Sequence, residues 1–290
     1  MKSRIIVASI CLPGLFAVIL FLPPWAFGIL MGIIAAISAV EFVRTTAAGL
    51  AKRVQVYIAA AALAIPILFG TAVHVATLTG TTATGAAMGL TVALILLLVL
   101  AAEAVFGYGT KRAVSFGQIA FAFFAGAVIP LFLGTLVSLR TISAEGFLDG
   151  RVYVFLPIVI AFTTDAGAYF TGIVFGKRKL CPLVSPKKTV AGAIGGFVVG
   201  LLCMLGFAWL MHSMFEIQIN LLSLVILSIV GSAVTQLGDL AFSLIKREFD
   251  KKDFGNLLPG HGGMMDRFDS MVMLAPLALA ITLWLPPFLY

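Results

Sequence analysis

Apolar residues along this chain come in long, nearly unbroken runs rather than at the intervals of an amphipathic helix or a half-buried strand. A bilayer-crossing helix needs about 20 mostly apolar residues. Runs of that size, separated by charged or Gly/Pro-marked breaks, occupy 5–22, 25–43, 56–78, 83–105, 115–138, 152–175, 190–211, 219–244 and 270–289. The pattern predicts an all-α, polytopic integral membrane protein with about nine transmembrane helices. The break at Pro23-Pro24 reads either as a tight hairpin between two spans or as a kink in one long span.

Composition agrees with the pattern: 61% of residues are hydrophobic and 11% charged, with a mean hydropathy of +1.14, against about 25% charged in soluble domains. A soluble enzyme and a disordered chain are excluded. Three cysteines, Cys11, Cys181 and Cys203, have no paired spacing, which excludes a disulfide scaffold and a zinc cluster. A net charge of +7 would point to nucleic acid in a soluble protein. Here 17 of the 19 basic residues fall on one side of the nine-span topology, leaving Arg140 and Arg151 on the other. Such segregation marks the rich side as cytoplasmic, facing anionic membrane lipids. The N-terminus is expected inside, the C-terminus outside, and no nucleic-acid partner is expected. The opening residues have the outline of a signal peptide, but no small-x-small cleavage site follows and Pro-Pro-Trp leads straight into another apolar run. They are read as the first span. With no repeat or soluble appendage, the chain reads as one structural unit, residues 1–150 forming a scaffold and 151–290 carrying a cytoplasm-facing site.

Polar groups able to do chemistry gather after about residue 160. Asp165 and Asp239 lie inside the sixth and eighth spans, where a carboxylate costs roughly 2.5–3.5 kcal/mol on insertion scales. Glu41 and Glu103 lie near span ends and are expected to snorkel to the interface. Between the sixth and seventh spans, Ser185-Pro186-Lys187-Lys188-Thr189 precedes a Gly-rich run. It is expected to start a helix whose free N–H groups, with two lysines, favour phosphate. Plain anchoring by positive charge accounts for Lys177, Arg178 and Lys179, but less well for that arrangement. In the last cytoplasmic loop, Asp266 and Asp269 are three apart and share a helix face suited to Mg²⁺. Asp239 could add a third ligand from a facing helix. The turn Pro259-Gly260-His261-Gly262-Gly263 permits positive φ and can aim N–H groups at an anion.

The run Ser243-x2-Lys246-Arg247-x4-Lys252-Asp253-x-Gly255-x3-Pro259-x-His261-Gly262-Gly263-x2-Asp266-Arg267-x-Asp269 resembles the C-terminal signature of the phosphatidate cytidylyltransferases, also called CDP-diacylglycerol synthases. Residues 185–189 and Gly238-Asp239-Leu240 are similar to further motifs of that family, so the resemblance covers about residues 160–275. The sequence departs from the pattern at Ala166, where Thr is common, and at Ala191 and Phe242, where an acid is expected. The resemblance implies transfer of a cytidylyl group from CTP to phosphatidate, by in-line attack of the lipid phosphate on the α-phosphorus, with pyrophosphate leaving. It implies Mg²⁺, two divalent ions, on Asp239, Asp266 and Asp269, with Lys246 and His261 also in catalysis. Substrate binding then falls to Ser185, Lys187, Lys188, Thr189, Ser243, Arg247, Lys252, Asp253, Gly262, Gly263 and Arg267. A bacterial plasma membrane and a homodimer are compatible with this reading. Three alternatives stay open: a related lipid kinase, a cytidylyltransferase for another lipid phosphate, and a transporter. A transporter would need polar residues through the first five spans, which nearly lack them. A CDP-alcohol phosphotransferase fits poorly, because its D-G-x2-A-R opening is absent.

Overall fold

In lipid, backbone N–H and C=O groups have no water to pair with, so apolar runs of this length can only close their hydrogen bonds internally, as helices. The computed structural model describes residues 2–79, 85–110, 113–142, 150–257, 260 and 262–289. Among them are nine long helices: α1 (Lys2–Phe21), α2 (Pro24–Thr46), α3 (Lys52–Thr79), α4 (Gly85–Gly107), α5 (Phe116–Thr141), α6 (Arg151–Phe175), α7 (Val190–Phe215), α8 (Leu221–Glu248) and α9 (Met265–Trp284). From α2 onward, all eight are long and apolar enough to cross a membrane; α1 has 20 residues. The protein is an all-α polytopic membrane protein. Among the described residues there are also two short antiparallel strand pairs: the hairpin of β1 (Lys179–Cys181) with β2 (Ser185–Thr189), and β3 (Gln218–Ile219) with β4 (Phe288–Leu289), which meet from either end of the last two helices.

The chain forms two compact units. One comprises residues 1–141 and 249–268, the other 142–248 and 269–290. In the first, α2 and α3 pack closely because Gly28 and Gly32, one turn apart, leave room for backbone: a Cβ on Gly32 would stand 2.5 Å from the Leu63 carbonyl. α5 starts with a capping box between Ser115 and Gln118 and loosens into one π-helical turn over Phe124–Val128. The Pro23-Pro24 break separates two helices, with Pro24 at the first position of α2, where its missing N–H costs nothing. Arg140, one of the two basic residues that the charge count sets apart, has a structural role. It is 4% exposed, and its guanidinium donates to the carbonyls of Ile19 (3.2 Å) and Leu22 (3.2 Å), orphans at the end of α1.

In the second unit, Gly192, Gly196 and Gly200 form a smooth stripe on α7 that brings α6 into backbone contact; a Cβ on Gly192 would lie 2.6 Å from the Ala168 carbonyl. This approach seats the buried Thr164 hydroxyl on α6 against Ser232 of α8 at 2.8 Å. The ninth helix differs from the expected run 270–289. It begins five residues earlier, at Met265, and stops at Trp284, because Pro286 and Pro287 cannot continue it. The chain turns instead into β4, where Phe288 meets Tyr153 edge-on at 5.5 Å.

Replacing Arg140 with Met should leave the buried Ile19 carbonyl and the part-buried Leu22 carbonyl at the end of α1 short of a donor and lower stability by about 1–3 kcal/mol. Thermal unfolding in detergent measures this, and an unchanged midpoint would rule out the cap.

Candidate active site

Within the second unit, α8 carries a polar line along one face: Ser228, Ser232, Thr235, Asp239, Ser243 and Lys246, spaced by three or four residues. The first three are fully buried, so the line starts deep and ends in charge. Asp239 is engaged through both oxygens: Oδ1 accepts from the Ser243 hydroxyl (3.2 Å), and Oδ2 meets Lys188 Nζ at 2.6 Å. Asp269, on α9, is 8% exposed. Its Oδ2 lies 3.9 Å from Lys246 Nζ, and its Oδ1 accepts the Ser270 N–H at 2.8 Å. The charges of Asp239 and Asp165 also bear on Asp269. Gly238 keeps α8 tight against α9, since a Cβ there would meet Met273 at 3.2 Å and the Asp269 carbonyl at 3.4 Å. Two carboxylate–ammonium pairs result. The Lys188–Asp239 pair is about a quarter exposed and the Lys246–Asp269 pair about a tenth.

The hairpin that delivers Lys188 differs from the expected helix start. Residues 185–189 form β2, and only Thr189 belongs to the helix, as the N-cap of α7, its hydroxyl accepting the Gly192 N–H at 3.1 Å. Pairing with β1 holds Pro186 to Lys188 extended, and strand alternation separates the two lysines. Lys188 is partly covered against Asp239, whereas Lys187 is exposed, as are Lys177, Arg178 and Lys179. Ser185 sits at the strand start opposite Cys181. Arg247 ties the turn to α8 by donating to the Val184 carbonyl at 3.3 Å.

In the first unit, the loop after α8 is knitted by two other acids. Asp266 Oδ2 accepts the N–H groups of Phe254 (2.8 Å) and Gly263 (3.0 Å). Gly260 (φ 77°) and Gly262 (φ 86°) take the positive φ that the turn's sequence permits, and the anion the Gly263 N–H finds is the protein's own carboxylate. Glu41 does not snorkel. It is 9% exposed, and its Oε2 accepts the Met265 N–H at the start of α9 (3.0 Å). The loop passes so close that Gly255 and Gly263 have no space for a side chain against the Glu41 carboxylate. On the same face of α2, Phe42 stacks on Phe254 at 5.4 Å and the Thr45 hydroxyl donates to the Phe254 carbonyl at 3.3 Å. Lys252, Asp253 and Arg267 are exposed. Pro259 and His261 lie outside the described residues.

Of the residues singled out in the sequence, the fold brings together Asp239, Asp269, Ser243, Lys188 and Lys246, whereas Glu41, expected to reach the interface, anchors the loop instead. The available signal was an acid four residues before Thr45 in an apolar helix, on a face continued by Phe42. Glu41→Ala should free the loop: amides of residues 253–265 should exchange hydrogen at least roughly ten-fold faster, following loss of a buried acceptor. Unchanged protection would contradict the anchoring role.

Comparison with known proteins adds a second line of evidence. A Bacillus subtilis (strain 168) protein named phosphatidate cytidylyltransferase is 37% identical over 166 residues, 57% of this chain and 59% of the relative. A Staphylococcus haemolyticus protein of that name is 43% identical over 129 residues, covering 44% and 48%. One from Staphylococcus epidermidis is 42% identical over the same shares. The chain thus spans about half the length of the curated relatives it matches. The sequence profile described as the cytidylyltransferase family extends much further, over residues 2–285. Since that match takes in all nine helices, both carboxylate–lysine pairs and the loop held by Glu41 and Asp266, the chain belongs to the cytidylyltransferase family.

Proposed function

We propose that this protein is a membrane nucleotidyltransferase that converts CTP and phosphatidate to CDP-diacylglycerol and pyrophosphate. The observation that carries the reading is the pair of carboxylates, Asp239 on α8 and Asp269 on α9, each facing a lysine, one from the β2 hairpin and one from α8. The names of the relatives support the choice of substrates. Transfer from a triphosphate to a phosphate needs little covalent chemistry from protein, but it needs negative charge to be met on nucleophile, transferred group and leaving pyrophosphate.

The donor set fits Mg²⁺. Carboxylate oxygens are hard ligands, and among the described residues no group of three or more His, Cys, Asp or Glu side chains could hold a metal. Protein would therefore fill few coordination positions, leaving the others for water and substrate phosphates, as is usual for Mg²⁺. Asp239 and Asp269 would hold the ion; Asp266, the third ligand expected from the sequence, instead has its Oδ2 on two backbone N–H groups of its own loop. Bound there, Mg²⁺ supplies Lewis-acid neutralisation of phosphate charge. Lys188 and Lys246 would then exchange their carboxylates for phosphate oxygens. Ser243 orients Asp239, Thr189 caps the helix behind Lys188, and Arg247 steadies the hairpin. Lys187, Lys252 and Arg267 would attract anionic substrates from the surface. The expectation for His261, orienting a phosphate, stands as part of this proposal, as does a bacterial plasma membrane with the N-terminus and site cytoplasmic.

Membranes containing the protein, given radiolabelled CTP and Mg²⁺, should form a lipid-soluble product only when phosphatidate is added. Asp239→Asn and Asp269→Asn should each reduce the rate at least ~100-fold, comparable to removing one preorganised electrostatic group, while Asp253→Asn should be mild. A near-normal Asp269→Asn rate would contradict the assignment.

The two lysines of β2 should separate as well, with Lys188→Ala far more damaging than Lys187→Ala. Equal losses in initial rate would mean that the hairpin acts only through its summed charge.

A further inference from the structure

A second charged site lies in the first unit, at the ends of α3 and α4. Arg53 is the second residue of α3, and Glu103 lies a little over one turn from the end of α4. Glu103 receives one edge of the guanidinium: Arg53 Nε donates at 2.9 and 3.1 Å and Nη2 at 2.6 Å. The cation is the outer partner, its side chain 35% exposed against 18% for the carboxylate. Beside the pair runs a groove of about 340 Å³, lined by Arg53, Tyr57, Val99, Ala102, Glu103 and Phe106.

A guanidinium is a rigid plane with five N–H donors. With the Nε/Nη2 edge held by Glu103, the second N–H of Nη2 and one N–H of Nη1 form the adjoining edge, at the end of the plane. That edge has the spacing that binds two oxygens of a phosphate side by side. Glu103 thus sets the orientation of an anion receptor. The rest of the groove is apolar: Phe106 is 85% and Tyr57 37% exposed. Arg53 and Glu103 lie near the ends of two helices long and apolar enough to cross a membrane; the ends of such helices meet the headgroup region, so what fills the groove must be charged at one end and greasy along its side. A tie between two helices would need neither the groove nor an exposed aromatic beside it.

We propose that this groove binds a phosphodiester glycerophospholipid, its phosphate on the outer edge of Arg53 and its glyceryl and acyl portion along Val99, Ala102 and Phe106. A phosphodiester fits because it offers two unesterified oxygens, the number that edge can serve. The site uses none of the residues assigned to nucleotidyl transfer, so it does not depend on that activity.

The test is native mass spectrometry of the full chain, delipidated in detergent and titrated separately with phosphatidylglycerol, phosphatidylethanolamine and inorganic phosphate. Both lipids should give a one-lipid adduct on the wild type, and inorganic phosphate should give none at equal concentration. Arg53→Lys keeps a cation for Glu103 but removes the fork, so it should preserve the thermal midpoint while weakening lipid binding about ten-fold or more. Phe106→Asp, altering only an exposed wall, should weaken it as well. Adducts of wild-type strength on both variants, or inorganic phosphate binding as well as lipid, would overturn the proposal.

Discussion

A carboxylate inside a membrane helix persists only where its charge is met, and the architecture of the second unit follows from meeting two such charges. Asp239 and Asp269 are brought near enough to repel each other, and each has a lysine in front of it. Lys246 comes from the helix that carries Asp239, while Lys188 arrives from a separate hairpin. The hairpin is therefore a structural necessity of the site. Its position is fixed by strand pairing on one side, by the Thr189 cap on another, and by the Arg247 contact at its turn. Charge compensation of this kind is stable yet exchangeable, because an ammonium can leave a carboxylate when a better pairing is offered to both.

Close helix packing makes the arrangement possible. Glycines on α7 let α6 approach at backbone distance, and Gly238 does the same between α8 and α9, one residue before Asp239. In the first unit the same logic is applied to a loop rather than a helix. Gly255 and Gly263 yield their side-chain space to the carboxylate of Glu41, and two acids together take three backbone N–H groups of residues 254–265. Removing water from those N–H groups would be costly if they were unpaired; paired to anions, they fix the path of the chain into α9.

What the sequence disclosed and what it hid divide along physical lines. Apolar runs mark helices because length and hydropathy are local properties, so the runs predicted α2 to α8 within a few residues. Asp239 and Asp269 stood out because an acid in or beside an apolar run is conspicuous in any context. Lys188 was picked for the right chemistry but the wrong backbone, since β2 depends on pairing with residues that Pro186 gives no hint of. Glu41 was misjudged because its partner, Met265, is 224 residues away, and a helix-end acid looks alike whether it faces water or a loop. Arg140 offered the same ambiguity, its use being to cap a helix more than a hundred residues earlier. The end of α9, by contrast, was written in Pro286-Pro287, which the apolar count overrode.

Asp239 and Asp269 are the residues at which, on the proposed function, a divalent cation and nucleotide phosphates would meet. Binding of Mn²⁺, used as a spectroscopic stand-in for Mg²⁺, can be followed by the loss of its free-ion paramagnetic resonance signal, on folded protein and without turnover. With CTP present, wild-type protein should take up the ion, and Asp239→Asn or Asp269→Asn should each bind it at least about ten-fold more weakly. Uptake by Asp269→Asn equal to that of the wild type would contradict the account.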